Sequence, residues 1–166
     1  YQEAMGVPLE NIQALRARRP EHLRHAPSRD DTLLLLKTVQ ADADFAVSLV
    51  VRLLYGCGLR VTEPLNLRIK DVALDALQFT IRAAKGGKDR VLAIPCSVME
   101  DLRAQVEAAR AIWRQDQLQQ VPLALPQQLA VKYPQAQFDW NWAWLFPAPQ
   151  PCLAPRKGKR VRWRLH

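Results

Sequence analysis

The stretch LLYGCGLRVTEPLNLRIKDV, from Leu53 to Val72, decides how this chain is understood. An apolar, helix-like run ends at Gly56-Cys57-Gly58, and a charged block follows at once with Arg60 and Glu63. Leu65, Leu67 and Ile69 then carry the chain to Asp71. Glycines ahead of Leu59-Arg60 let the backbone turn sharply, so a charged side chain can leave the end of a buried helix. An arginine in that position has two uses. Its planar fork can grip a phosphate through paired charge-assisted bonds, or it can pair with a nearby acid, here Glu63.

Working upstream, a helix is predicted to start at Ser28 or Asp30, whose side chains can cap free N–H groups, and to run towards Val39. A second helix covers roughly Asp44 to Tyr55 and is apolar on most faces, so it reads as buried, Tyr55 with it. The basic stretch Leu15 to Pro20 and the polar passage to Pro27 read as linker, including His22-Leu23-Arg24-His25.

Downstream, Pro64 suits the first turn of a new helix, where the missing N–H has no intrahelical partner. Gln78 to Arg82 and Arg90 to Pro95 alternate and are rich in β-branched residues, and Lys85-Gly86-Gly87-Lys88 separates them, so they read as a β-hairpin. Ser97 is a good cap for a helix to about Gln117, with Met99, Leu102, Val106, Ala109 and Trp113 on one face. Beyond it the chain is rich in proline, with a short helix predicted between Pro126 and Tyr133. Phe138, Trp140, Trp142, Trp144 and Phe146 alternate as the residues on one side of a strand do, and most of the tryptophans read as core.

With 166 residues the chain fits one domain with a real core. A formal charge of +8 favours a polyanionic partner such as nucleic acid. Much of that excess is local: the last eleven residues hold Arg156, Lys157, Lys159, Arg160, Arg162 and Arg164 and no acid, and read as a solvated tail or a phosphate-contacting segment. Cys57, Cys96 and Cys152 form no C-x-x-C pair, which argues against a disulfide framework and a thiolate zinc site, and a reducing cytoplasm is the default compartment. The apolar run from Phe45 to Tyr55 is too short to span a bilayer.

The block GCGLRVTE resembles the first active-site motif of the tyrosine recombinases (phage integrase family), and AAKGGKDRVLAIP resembles the hairpin motif of the same family. The resemblance implies that Arg60 grips the scissile phosphate of DNA and that Lys85, 25 residues later, protonates the leaving 5′ oxygen. Lys88 and Arg90 then become auxiliary phosphate contacts. Pro64 stands where the family usually has a small or branched apolar residue, and Ala84 where a glycine is common. The segment Leu123 to Ala148 is similar to the additional segment of integron integrases, with Gln128 where that pattern often has a small residue. In that group the segment helps to recognise bases flipped out of a folded single-stranded site, which assigns nucleic-acid contact to Lys132, Tyr133 and Pro134.

The family also uses a later histidine-rich motif and a nucleophilic tyrosine. His22 and His25 precede Arg60 and have the wrong spacing, and Tyr1, Tyr55 and Tyr133 are the only tyrosines. The implied fold is a mostly helical α+β catalytic domain, truncated, with a small β-hairpin and an integron-type insertion over about 118–148. Residues 1–27 become a linker from a missing N-terminal core-binding domain, and 28–166 a partial catalytic domain. The implied parent recombines DNA through a phosphotyrosine, without metal or nucleotide cofactor, as a tetramer on DNA; this chain is expected to bind DNA, possess no membrane partner and lack strand cleavage. Two rivals remain: a non-catalytic DNA-binding module of the same fold, and a protein-interaction domain that uses the tryptophan-rich segment.

Overall fold

The computed structural model describes residues 26–82, 87–154 and 158–166. The expectations for residues 1–25, including the linker and its histidines, lie outside the described residues, as does Lys85.

Helix α1 (Arg29–Asp42) begins where the sequence places it, with Ser28 and Asp31 closing a capping box. It buries none of its residues and leaves Leu34 and Leu35 exposed. It lies beside α2 (Phe45–Cys57), whose Leu49 and Leu53 are buried in the core. Gly58 ends α2 in the left-handed region at φ 60°, a conformation that carries almost no penalty only for glycine. Tyr55 is not buried with its helix: it sits on the outer face, 61 % exposed.

After Arg60 the chain forms the single turn α3 (Thr62–Leu65), with Pro64 inside it, and a 3-10 turn over Ile69–Asp71. The hairpin is present as β2 (Gln78–Ile81) and β3 (Arg90–Ala93), paired Phe79 to Leu92 and Ile81 to Arg90. A short strand β1 (Val72–Ala73), not foreseen, adds to its outer edge and makes a three-stranded antiparallel sheet. Phe79 and Ile81 alternate inwards, as period-2 geometry requires, and join Leu49, Leu53, Leu67, Leu102, Leu145 and Phe146 in one core.

Helix α4 (Met99–Leu118) closes that core with Met99 and Leu102 and buries Ala109 further along, while Trp113 is only half-buried. Ser97 does not cap it. The chain enters through a 3-10 turn over Cys96–Val98, and the Ser97 carbonyl accepts from Arg52 Nη2 at 3.1 Å instead. Gln105 is buried on α4 and donates to the Leu145 carbonyl at 2.8 Å.

The later segment departs most from expectation. Helix α5 (Gln127–Lys132) is where the sequence puts it, but the aromatic strand is absent. Asp139 accepts from the Asn141 N–H at 2.9 Å and caps a 3-10 turn over Trp140–Trp142, which breaks the strand period: Trp140 packs on Trp113, while Trp142 and Trp144 both lie by the Arg68 guanidinium. The chain is extended only beyond this turn, where Ile69 N–H donates to the Ala143 carbonyl and Leu145 N–H to the Leu67 carbonyl, both at 3.0 Å. Trp144 and Phe146 are therefore core, whereas Trp140 and Trp142 are half-buried. Trp140 lies against Trp113 at 5.6 Å, and Trp113 Nε1 donates to the Phe138 carbonyl at 3.2 Å, anchoring the segment to α4.

The basic C-terminal run is not simply a solvated tail. Strands β4 (Cys152–Leu153) and β5 (Arg160–Val161) pair, with Lys159 and Arg160 exposed, but Val161 and Arg162 are buried. Arg162 forks onto Asp116 of α4, Nε to Oδ2 at 2.7 Å and Nη2 to Oδ1 at 2.6 Å. No described helix is long and apolar enough to cross a membrane.

Candidate functional site

A cleft of ≈ 620 Å³ opens between the arginine block, the stem of the hairpin and the tryptophan segment. Arg60, Asn66, Arg68, Lys70, Arg82 and Trp142 line it. Arg60 reaches it because Gly58 turns the chain out of α2 while Leu59 stays buried. Its side chain is about half exposed and therefore accessible to a ligand.

Both readings of Arg60 meet here. The Arg60 N–H donates to Glu63 Oε2 at 2.8 Å, and Nη1 to Oε1 at 2.9 Å. Arg90, from β3, donates through Nη2 to the same Oε2 at 2.7 Å. Burial pushes the Glu63 carboxyl up, but the Arg60 hydrogen bonds and the Arg90 charge outweigh it and hold the group below its ordinary value. One buried carboxylate against two arginines leaves one positive charge in excess, which suits an anion at Arg60.

The opposite side of the cleft is built on Arg68, and sequence reading missed it. Arg68 is 7 % exposed; Nη1 donates to the Trp142 carbonyl and Nη2 to the Ala124 carbonyl at 3.0 Å. Its guanidinium carbon lies 3.5 Å from the Trp144 ring centroid. Burial pulls its pKa down to about 10, with Asp71 opposing. Lys70, two residues on, is exposed and places Nζ 3.0 Å from the Trp142 ring centroid. Partial burial lowers the Lys70 pKa, Asp71 opposes it, and Arg82 and Arg68 add to the lowering. Buried Asp71 accepts from Arg82 Nε at 2.6 Å and from the Arg68 N–H at 3.3 Å, tying the hairpin stem to this wall. The signal was present in Leu67-Arg68-Ile69-Lys70, where charged residues alternate with apolar ones.

The structure thus brings Arg60 and Arg90 together on Glu63 and leaves Lys88 exposed in the hairpin loop. Lys132, Tyr133 and Pro134 are all exposed and none of them lines the Arg60 cleft; Lys132 lines a separate groove with Pro126, Gln128 and Val131. Neither described tyrosine, Tyr55 or Tyr133, lines the cleft. Among the described residues no group of three or more His, Cys, Asp and Glu could hold a metal ion.

Known proteins are similar to part of this chain. The chain is 42% identical over 111 residues to an integrase/recombinase of Escherichia coli, which covers 66% of this chain and 33% of that protein. It is 39% identical over 89 residues to the tyrosine recombinase XerA of Thermococcus kodakarensis, covering 54% of this chain and 31% of that protein. The chain therefore spans about a third of the length of the curated relatives it matches. A crystal structure of XerA recombinase aligns with a TM-score of 0.47 and 27% identity, over 55% of this chain and 33% of that one. The model for the phage integrase family matches residues 28–136, which is more than half of the chain and includes the Arg60 block, the hairpin stem and most of the cleft; the chain belongs to that family of tyrosine recombinases.

Proposed function

We propose that this chain is part of the catalytic domain of a site-specific DNA recombinase of integron type, in which Arg60 grips the scissile phosphate and Lys85 protonates the leaving 5′ oxygen. The observation that carries it is the shared cleft: Arg60 and the hairpin stem at Arg82, three residues before Lys85, line one surface. An arginine whose carboxylate partner is already shared with Arg90 keeps charge available for a phosphodiester. Arg90 acts by holding Glu63 and so orienting Arg60, and Lys88 contacts backbone phosphate from the loop.

In the full-length recombinase the reaction passes through a phosphotyrosine, needs no metal or nucleotide cofactor, and takes place in a tetramer on DNA. Residues 1–27 link this domain to one that precedes it, and residues 118–148 form the insertion. Lys132, Tyr133 and Pro134, exposed on it, meet folded single-stranded sites. The 166 residues alone bind DNA and do not cleave it; in support, neither of the described tyrosines, Tyr55 and Tyr133, lines the cleft.

The test is incubation of the chain with a nicked suicide substrate, followed by a denaturing gel and by equilibrium binding at several salt concentrations. The expected result is salt-dependent binding, weakened by Arg60→Ala, with no covalent adduct. A covalent adduct would overturn the proposed inactivity and direct attention to Tyr133 first. Binding without salt dependence would instead favour a protein-interaction role for the tryptophan segment, since displacement of counterions by Lys and Arg gives a steep slope.

A further inference from the structure

The cleft carries more charge than one phosphate requires. Four cations line it, Arg60, Arg68, Lys70 and Arg82, against two carboxylates, Glu63 and Asp71. Glu63 is engaged by Arg60 and Arg90, and Asp71 by Arg82. Arg68 and Lys70 are left: among the described residues neither the Arg68 guanidinium nor the Lys70 ammonium has a carboxylate oxygen within 4.0 Å, and Asp71 reaches Arg68 only at its backbone N–H. Arg68 spends its fork on two backbone carbonyls and is almost wholly buried, so it serves as fixed positive charge behind the wall. Lys70 is exposed at the surface of that wall, and its ammonium stands over the Trp142 ring. An aromatic face attracts the ammonium without neutralising it, and steadies a side chain that would otherwise lose entropy on binding.

We propose that Lys70, backed by Arg68 and held over Trp142, is the seat of a second phosphodiester, so that the cleft grips two phosphates of the DNA backbone at once. This rests on the DNA reading above and deepens it. Counting Arg90, which shares Glu63 with Arg60, five cations face two carboxylates; one positive charge is in excess at Arg60 and two at Arg68 and Lys70, enough for a phosphodiester of single negative charge at each seat. The two seats are mechanically joined. Leu67 and Ile69, on either side of Arg68, bond by their backbones to Leu145 and Ala143, so the wall under Lys70 is fixed to the segment that follows Arg60.

Counterion release provides a measurement that a merely structural lysine would not move. Each phosphate contact contributes about 0.9 to the slope of log K against log[salt] on duplex DNA and about 0.7 on single strands. The 166-residue chain is titrated into a fluorescently labelled oligonucleotide, single-stranded and duplex, with binding read by anisotropy across a range of salt. Lys70→Gln should lower the slope by about one phosphate contact on either form, Arg60→Gln by a similar amount, and the double variant by about two. Lys70→Arg should restore the slope. Because Lys70 is exposed, an unchanged thermal midpoint is expected for each Lys70 variant. A Lys70→Gln chain with an undiminished slope overturns the second seat and leaves the DNA reading standing. A wild-type chain with no salt-dependent binding overturns both.

Discussion

Arg90 Nη2 lies 2.7 Å from Glu63 Oε2, a contact between residues 27 apart that fastens the hairpin to the arginine block. The Glu63 carboxylate is buried and also accepts from the Arg60 backbone and side chain. It is therefore the point at which two sequence motifs become one site. Without it Arg60 and Arg90 would repel one another, and the orientation of Arg60 would depend on its own rotamers.

Glu63→Gln keeps the shape and removes the charge. It is expected to destabilise the fold by about 1–3 kcal/mol, the cost of weakening hydrogen bonds to charged groups at a buried position. The value should fall short of a fully buried pair, since Arg60 is half exposed and Arg90 about one third. Urea denaturation of both chains at neutral pH measures the difference.

The same carboxylate gives a pH dependence. Its pKa is lower in the folded chain than the ordinary 4.5, so the folded state favours the charged form. The stabilisation is present above the ordinary value and is lost as pH falls through the lowered one. Denaturation midpoints measured from neutral pH downwards should decline below about pH 4.5, less steeply for Glu63→Gln than for the parent. Parallel declines in the two chains would assign the acid sensitivity to other carboxylates.

Much of this architecture was legible from short-range signals. Ser28 and Asp31 form a capping box three residues apart, Gly58 supplies a left-handed turn, and Phe79 and Ile81 alternate with period two. What escaped depends on partners far along the chain. Arg68 acquires its role from the carbonyl of Trp142, 74 residues away, and Arg162 is withdrawn from the basic tail by Asp116, 46 residues away. The aromatic alternation misled for a local reason: Asp139 can cap a turn, and one capped turn breaks the period of a strand. Lys85 was assigned by its motif alone, and it lies outside the described residues.

The two neighbouring tryptophans should separate sharply in stability measurements. Trp144 is 8 % exposed and packs on the Arg68 guanidinium, so Trp144→Ala is expected to cost about 3–5 kcal/mol. Trp142 is half-buried at the cleft and leaves less of a void, so Trp142→Ala should cost roughly half as much. Equal losses in chemical denaturation would mean that Trp142 is core after all.

The Arg162–Asp116 pair offers a test of how the basic terminus is held. Both side chains are almost wholly buried and joined by a bidentate contact. Asp116→Asn leaves a buried guanidinium without its counter-charge and is expected to cost about 3–5 kcal/mol. Replacing both, as in the double variant Arg162→Met with Asp116→Leu, should cost less than Asp116→Asn alone, because apolar side chains leave no charge to desolvate. Hydrogen exchange at Val161 and Leu123 should follow the same order.

The insertion is tested away from the cleft. Lys132 is exposed, its ammonium 5.3 Å from the Tyr133 ring centroid, and it contributes no core contact. Lys132→Ala should therefore leave the denaturation midpoint within about 0.5 kcal/mol of the parent, the usual range for surface substitutions. If the insertion reads folded single strands, the same variant should lose more affinity for a hairpin oligonucleotide than for plain duplex of equal charge. A stacking face such as Tyr133 acts only on unpaired bases, so Tyr133→Ala should deepen that difference while barely altering the salt slope. Equal losses on both forms from Lys132→Ala would reduce it to a generic phosphate contact. Equal losses from Tyr133→Ala as well would remove the support for an integron-type role of the insertion.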